Sequence, residues 1–112
     1  MASPRVVVVI PTRDREARLA FALDALAAQT LPPEQFEVVV VRAADRRRAP
    51  RTPPPAGLPT KEVFSARAGT AVQRNAGWRA STAPLVAFTD DDCRPAPNWL
   101  ERLLAAGDSD GC

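Results

Sequence analysis

"RVVVVIPT", residues 5–12, is an unbroken run of β-branched residues that ends at Pro11 and Thr12. A strand with one wet face alternates apolar and polar residues. This run does not, so it reads as a strand buried on both faces, the situation of a parallel sheet. "FEVVVV", residues 36–41, repeats the pattern. Between the two, Leu19, Leu23 and Leu26 recur at i, i+4 and i+7, the stripe of an amphipathic helix. Thr12 or Asp14 stands where a cap is needed, and Pro32 and Pro33 stop the helix. A buried strand, a helix and a second buried strand make a parallel crossover unit, and the rest of the chain extends it.

Residues 42–60, beginning "RAADRRRAPRTPPPAGLP", have no periodicity and are rich in Pro and Arg, which predicts a long mobile loop. "KEVFSA", residues 61–66, is a short third strand. "GTAVQRNAGWRAS", residues 69–81, opens with Thr70-x-x-Gln73, a capping-box pattern for a helix start. Gly77 lies inside that helix at a cost of about 1 kcal/mol relative to Ala, which points to close packing or ligand approach. "PLVAFT", residues 84–89, is a fourth strand. In "APNWLERLLAAG", residues 96–107, Pro97 suits a first turn, Leu100, Leu103 and Leu104 share a face, and Gly107 ends the helix. The fold class is α/β: one domain over residues 1–112, with a doubly wound, mostly parallel sheet of about four strands flanked by three helices.

In such a sheet, right-handed crossovers bring the C-terminal strand ends to one edge, where ligands bind. The residues expected there are Pro11 to Arg13, Arg42 to Asp45, Ser65 to Arg67, and the triplet Asp90, Asp91 and Asp92. Three adjacent carboxylates repel one another. Either they form a solvated turn or their counter-charge comes from outside the chain. Mn²⁺ or Mg²⁺ takes oxygen ligands and is held by one or two carboxylates plus substrate phosphates. The place of the triplet after a buried strand favours the metal.

Composition narrows the chemistry. The chain has 112 residues and a net charge of +2, too small for overall electrostatics to imply a nucleic-acid partner. Histidine and tyrosine are absent, which excludes imidazole-built zinc sites and serine–histidine triads. Arg46, Arg47, Arg48 and Arg51 have no interleaved aromatic residue and read as a solvated loop. The cysteines, Cys93 and Cys112, do not form a disulfide framework. Cys93 reads as a passive thiol, because neighbouring carboxylates disfavour its thiolate. The apolar run near the start is too short for a signal core or a membrane span, so a cytoplasmic location is expected.

The ordered set of first strand with Pro-Thr, "AQTLP", "RNAG" and the acidic triplet resembles family 2 glycosyltransferases over nearly the whole chain. The resemblance implies a Rossmann-like, partial GT-A fold that binds a nucleotide-diphosphate sugar through a divalent metal. Pro11 and Thr12 would line the nucleotide pocket, and Arg74 and Asn75 would lie near the nucleotide or diphosphate. Asp90 and Asp91 would sit near ribose and sugar, and Asp92, with Asp90, would hold the metal. Family members carry an acidic residue directly after the second strand. Arg42 stands there instead, and Asp45 is the nearest substitute. The family's acceptor half and catalytic base are expected beyond this chain, so no catalytic residue is assigned and Asp108 and Asp110 are not given that role. The acceptor is unknown, and a partner or oligomer is expected to cover exposed surface. The alternatives are a non-catalytic truncated fragment and a generic phosphate-binding α/β module. Against the module, residues 10–16, "IPTRDRE", have no glycine, so neither a P-loop nor a dinucleotide fingerprint is present.

Overall fold

A computed structural model describes residues 4–13, 16–43, 52–66 and 69–106. Strand β1 (Val6–Thr12) is buried at every position. It pairs in parallel with β2 (Phe36–Ala43) on one side and β4 (Leu85–Phe88) on the other. Beyond β2 lies β3 (Thr60–Ser65), also parallel, so the strand order is β3-β2-β1-β4.

Because side chains alternate across a strand, β1 and β2 feed two separate cores. Val6, Val8, Ile10, Val38 and Val40 pack with Leu19, Leu23 and Leu26 of α1 (Glu16–Ala27) and with Trp99, Leu100 and Leu103 of α3 (Trp99–Ala106). Val7, Val9, Val39 and Val41 form the other cluster, with Ala76 of α2 (Thr70–Trp78) packed against it. The sheet is therefore covered on both faces, as the unbroken valine runs require. Each fully buried valine contributes on the order of 1.5–3 kcal/mol of apolar transfer.

β3 and β4 shift by a residue at their ends, and α3 starts at Trp99, two residues after Pro97. Two other boundaries differ from the sequence reading for a clear reason. β2 continues through Arg42 and Ala43, so the loop after it starts later than the charge pattern suggests. Residues 44–51 of that loop lie outside the described residues; the loop's return, residues 52–59, is neither strand nor helix. Helix α1 ends at Ala27, before its prolines. The Thr30 N–H donates to Pro97 O at 2.8 Å, and Gln29 N–H makes a tighter bond to Leu26 O at 3.2 Å. The tertiary contact takes the donor that would have continued the helix. Pro33–Gln35 then forms a short 3₁₀ turn leading into β2.

Gly77 is where α2 meets the sheet. A Cβ built there would lie 2.3 Å from Val9 Cγ1 and 2.8 Å from Val41 Cγ2, both on buried, stiff side chains. Gly77→Ala should therefore destabilise the chain by about 1–3 kcal/mol through overpacking, despite the better helix propensity of alanine. Urea unfolding of Gly77→Ala, Val9→Ala and the double variant checks this. The double variant should be less destabilised than the sum of the two, because Val9→Ala vacates the space the new methyl needs.

Candidate functional site

At the carboxyl edge, β4 keeps one bond beyond its last strand residue, from Thr89 N–H to Val9 O at 3.2 Å. The chain then turns sharply, and Cys93 N–H closes the turn on Asp90 O at 3.2 Å. The turn separates the three carboxylates. Asp91 is buried, whereas Asp90 and Asp92 are exposed. Inside the protein, Thr12 Oγ1 donates to Asp91 Oδ2 at 2.9 Å. Thr12 is the last residue of β1, and its hydroxyl serves the acidic turn.

Asp90 receives a positive partner. Arg74 Nη2 lies 3.5 Å from Asp90 Oδ1, and the guanidinium stacks 5.6 Å from the centre of the Phe88 ring. Both partners are substantially exposed, so the pair contributes little to stability. It does place a cation beside the acidic turn. One ligand atom each from Asp90, Asp92 and Cys93 lie within 4.8 Å of one another. Cys93 carries no free thiol, which corrects its reading as a passive thiol and leaves the two carboxylates as the donors suited to a metal. Hard oxygen ligands fit Mn²⁺ or Mg²⁺.

Two glutamines, whose tertiary roles were not read from the sequence, hold this edge together. Gln73 is buried. Its Nε2 donates to Thr12 O at 3.0 Å and Val41 O at 2.8 Å, and its Oε1 accepts from Gly69 N–H at 3.3 Å. One side-chain amide thereby ties the ends of β1 and β2 to the start of α2, beside Pro11, which has no N–H to offer. Gly69, not Thr70, is the cap residue of α2, and Gln73 accepts from its N–H. A signal was present: Gln73 lies four residues before Gly77, on the sheet-facing side of α2. Gln29, just past α1, donates from Nε2 to Ala96 O at 2.7 Å and accepts from Leu100 N–H at 3.0 Å. It anchors the segment leading from the acidic turn into α3 and satisfies an N–H that the helix itself leaves free.

Among the remaining sequence candidates, Pro11 is buried within β1. Asn75 is exposed, and its Oδ1 accepts from Trp78 Nε1 at 3.1 Å, a bond within α2. Asp45 lies outside the described residues, as do Asp108, Asp110 and Cys112. The structure thus brings Thr12, Arg74, Asp90, Asp91 and Asp92 to one edge.

Arg42, at the end of β2, is almost fully buried. Its guanidinium pairs with Glu16 of α1 at 2.9 Å and with Glu62 of β3. Thr52 N–H also donates to Glu16 Oε1 at 2.6 Å, and Thr52 Oγ1 to Glu16 O at 2.9 Å, fastening the returning loop to α1. A buried cation costs several kcal/mol unless paired, and here two carboxylates answer it. Burial pushes the Glu16 carboxyl up, but hydrogen bonds from Arg42 and Thr52 and the Arg42 charge outweigh it, so the pKa falls below its ordinary 4.5.

This pKa shift has a definite sign in stability. A carboxyl held below its unfolded value stabilises the fold above that value, and the contribution is lost as pH falls through the folded pKa. Melting of the wild-type chain and of Glu16→Gln should therefore differ most at neutral pH. The two curves should converge as pH falls below about 4.5. A constant offset at all pH values would mean that the glutamate charge is not what Arg42 requires.

The fold and edge define an α/β domain with a solvent-facing acidic turn at its strand ends. The chain belongs to the glycosyl transferase family 2, whose model matches residues 7–112. Validoxylamine A glucosyltransferase of Streptomyces hygroscopicus subsp. limoneus is 40% identical over 107 residues, which cover 92% of this chain and 24% of that protein. Glycosyltransferase AglE of Haloferax volcanii is 30% identical over 103 residues, covering 88% of this chain and 34% of that protein. The chain thus spans about a quarter to a third of the length of these curated relatives. Among solved structures, S. aureus TarS shares the fold with a TM-score of 0.74 at 24% identity, over 90% of this chain and 19% of that one. A mannosyltransferase, PcManGT from Pyrobaculum calidifontis, in complex with GDP-Man and Mn²⁺, matches with a TM-score of 0.68 at 29% identity, over 86% of this chain and 30% of that one. The parallel sheet and its helices are those of the N-terminal part of the GT-A fold.

Proposed function

We propose that this chain binds a nucleoside-diphosphate sugar at the carboxyl edge of its sheet, as the donor-binding part of a sugar transfer to an acceptor hydroxyl. The observation that carries the reading is the split acidic turn. Asp91 is drawn inward, and Asp90 and Asp92 are left exposed with ligand atoms close enough to share one cation. The complex of PcManGT with GDP-Man and Mn²⁺ supports this choice of ligand and metal. Asp92, with Asp90, would hold Mn²⁺ or Mg²⁺, which when bound neutralises the diphosphate leaving group.

The chain's own residues divide the remaining work. Asp90 leans on Arg74; with a cation held by the carboxylates, the Arg74 guanidinium beside the site would be placed to meet a phosphate oxygen. Thr12 and Pro11, at the end of β1, form the floor beneath the nucleotide. Buried Gln73 fixes that floor against β2. No described residue is assigned as the base that takes the acceptor proton.

Calorimetric titration of GDP and of UDP, each with and without Mn²⁺, tests the proposal. The nucleotide and the metal should each tighten the other by the same factor, since coupling of binding free energies is reciprocal. Asp92→Asn should reduce that factor by about tenfold or more, equivalent to about 1.4 kcal/mol. Nucleotide affinities that do not respond to Mn²⁺ in the wild-type chain would leave the triplet as a solvated turn.

A further inference from the structure

We infer that Asp91 is a positioning residue: its bond to Thr12 sets the direction of the acidic turn and so keeps Asp90 and Asp92 converged. The consequence for metal binding rests on the proposed function above; the tether itself does not.

The argument starts from cost. A carboxylate at 5% exposure, flanked by two others, is an expensive thing to bury. It is buried where the last side chain of β1 offers a hydroxyl at 2.9 Å. A hydrogen bond to a charged acceptor is roughly twice as strong as one between neutral groups. The donor is itself immobilised. Thr12 is 3% exposed, lies in a strand paired on the β2 side through Arg42, and has its carbonyl held by Gln73 at 3.0 Å. The chain of contacts therefore runs from α2 through Gln73 to Thr12 and on to Asp91.

The geometry gives this chain a purpose. Residues 90–93 form one turn, closed by Cys93 N–H on Asp90 O. Fixing the middle carboxylate on the inside fixes its neighbours on the outside, because the turn leaves little independent freedom between them. With Asp91 released, the three charges would spread apart under their mutual repulsion, and the pair that shares a cation would be lost. Asp91 thus acts through the turn without touching the ligand, and Thr12 acts through Asp91.

Thr12→Val tests the tether, because it keeps the β-branched shape and removes the hydroxyl; Thr12→Ser restores the hydroxyl. Amide hydrogen exchange without metal reads the turn directly. In Thr12→Val the Cys93 amide should exchange about tenfold faster, while the Val39 and Val40 amides of β2 keep their protection; Thr12→Ser should resemble wild type. Mn²⁺ affinity, read by the paramagnetic signal of free Mn²⁺, should weaken by a similar factor in Thr12→Val and recover in Thr12→Ser. Unchanged exchange at Cys93 overturns the tether, whatever the metal does. Faster exchange with unchanged Mn²⁺ affinity overturns the positioning role. A wild-type chain that takes no Mn²⁺ overturns the metal reading, while selective loosening at Cys93 in Thr12→Val would still uphold the tether.

Discussion

Strand β1 has protein on every side, and most of the architecture follows from that constraint. Five consecutive residues, Val6 to Ile10, have no solvent exposure. Burial on both edges requires β2 and β4 as neighbours, and burial on both faces requires helices above and below. Parallel neighbours require crossovers, which supply those helices. The strand therefore ends at the middle of the sheet's carboxyl edge. Pro11 and Thr12 stand there, and the acidic turn after β4 lies next to them. The close approach of Gly77 to Val9 belongs to the same constraint, since a core this dry leaves no room for a side chain on the facing helix.

Charge at this edge is arranged by pairing. Arg42 is buried between Glu16 and Glu62, so a positive charge at the end of β2 is neutralised within the protein and holds α1, β2 and β3 together. Thr52 joins the same cluster, which fixes the point where the chain returns toward β3. The acidic triplet is treated differently. One carboxylate is satisfied internally, one is paired with an exposed arginine, and Asp92 remains exposed. The first pattern suits a structural joint. The second suits a site whose full complement of positive charge arrives with a ligand.

The strands, the helices and the edge holding the triplet were legible because each depends on local pattern: valine runs, leucine spacing and the proline and glycine between them. What was not legible depends on partners far along the chain. Nothing near Asp91 distinguishes it from its neighbours; the distinction comes from Thr12, 79 positions earlier. Arg42 reads as the start of a loop because it is charged, and its place in β2 becomes sensible only with Glu16 and Glu62, which are 26 and 20 positions away. Thr30 stops α1 early through Pro97, 67 positions on. Gln73 came nearest to being readable, as a polar residue on a buried helix face, but its carbonyl partners lie on two other elements.

The central claim is that one edge of this sheet, and no other part of the surface, receives a metal-bound nucleotide. Paramagnetic broadening of backbone amide resonances by Mn²⁺, in the presence of a nucleoside diphosphate, tests it most directly. The account predicts selective broadening of Thr12, Arg74 and residues 90–93. Leu31, Phe36 and Leu58, at the opposite end of the sheet, should stay sharp. Broadening centred elsewhere, or spread evenly over the exposed carboxylates whether or not nucleotide is present, would contradict it.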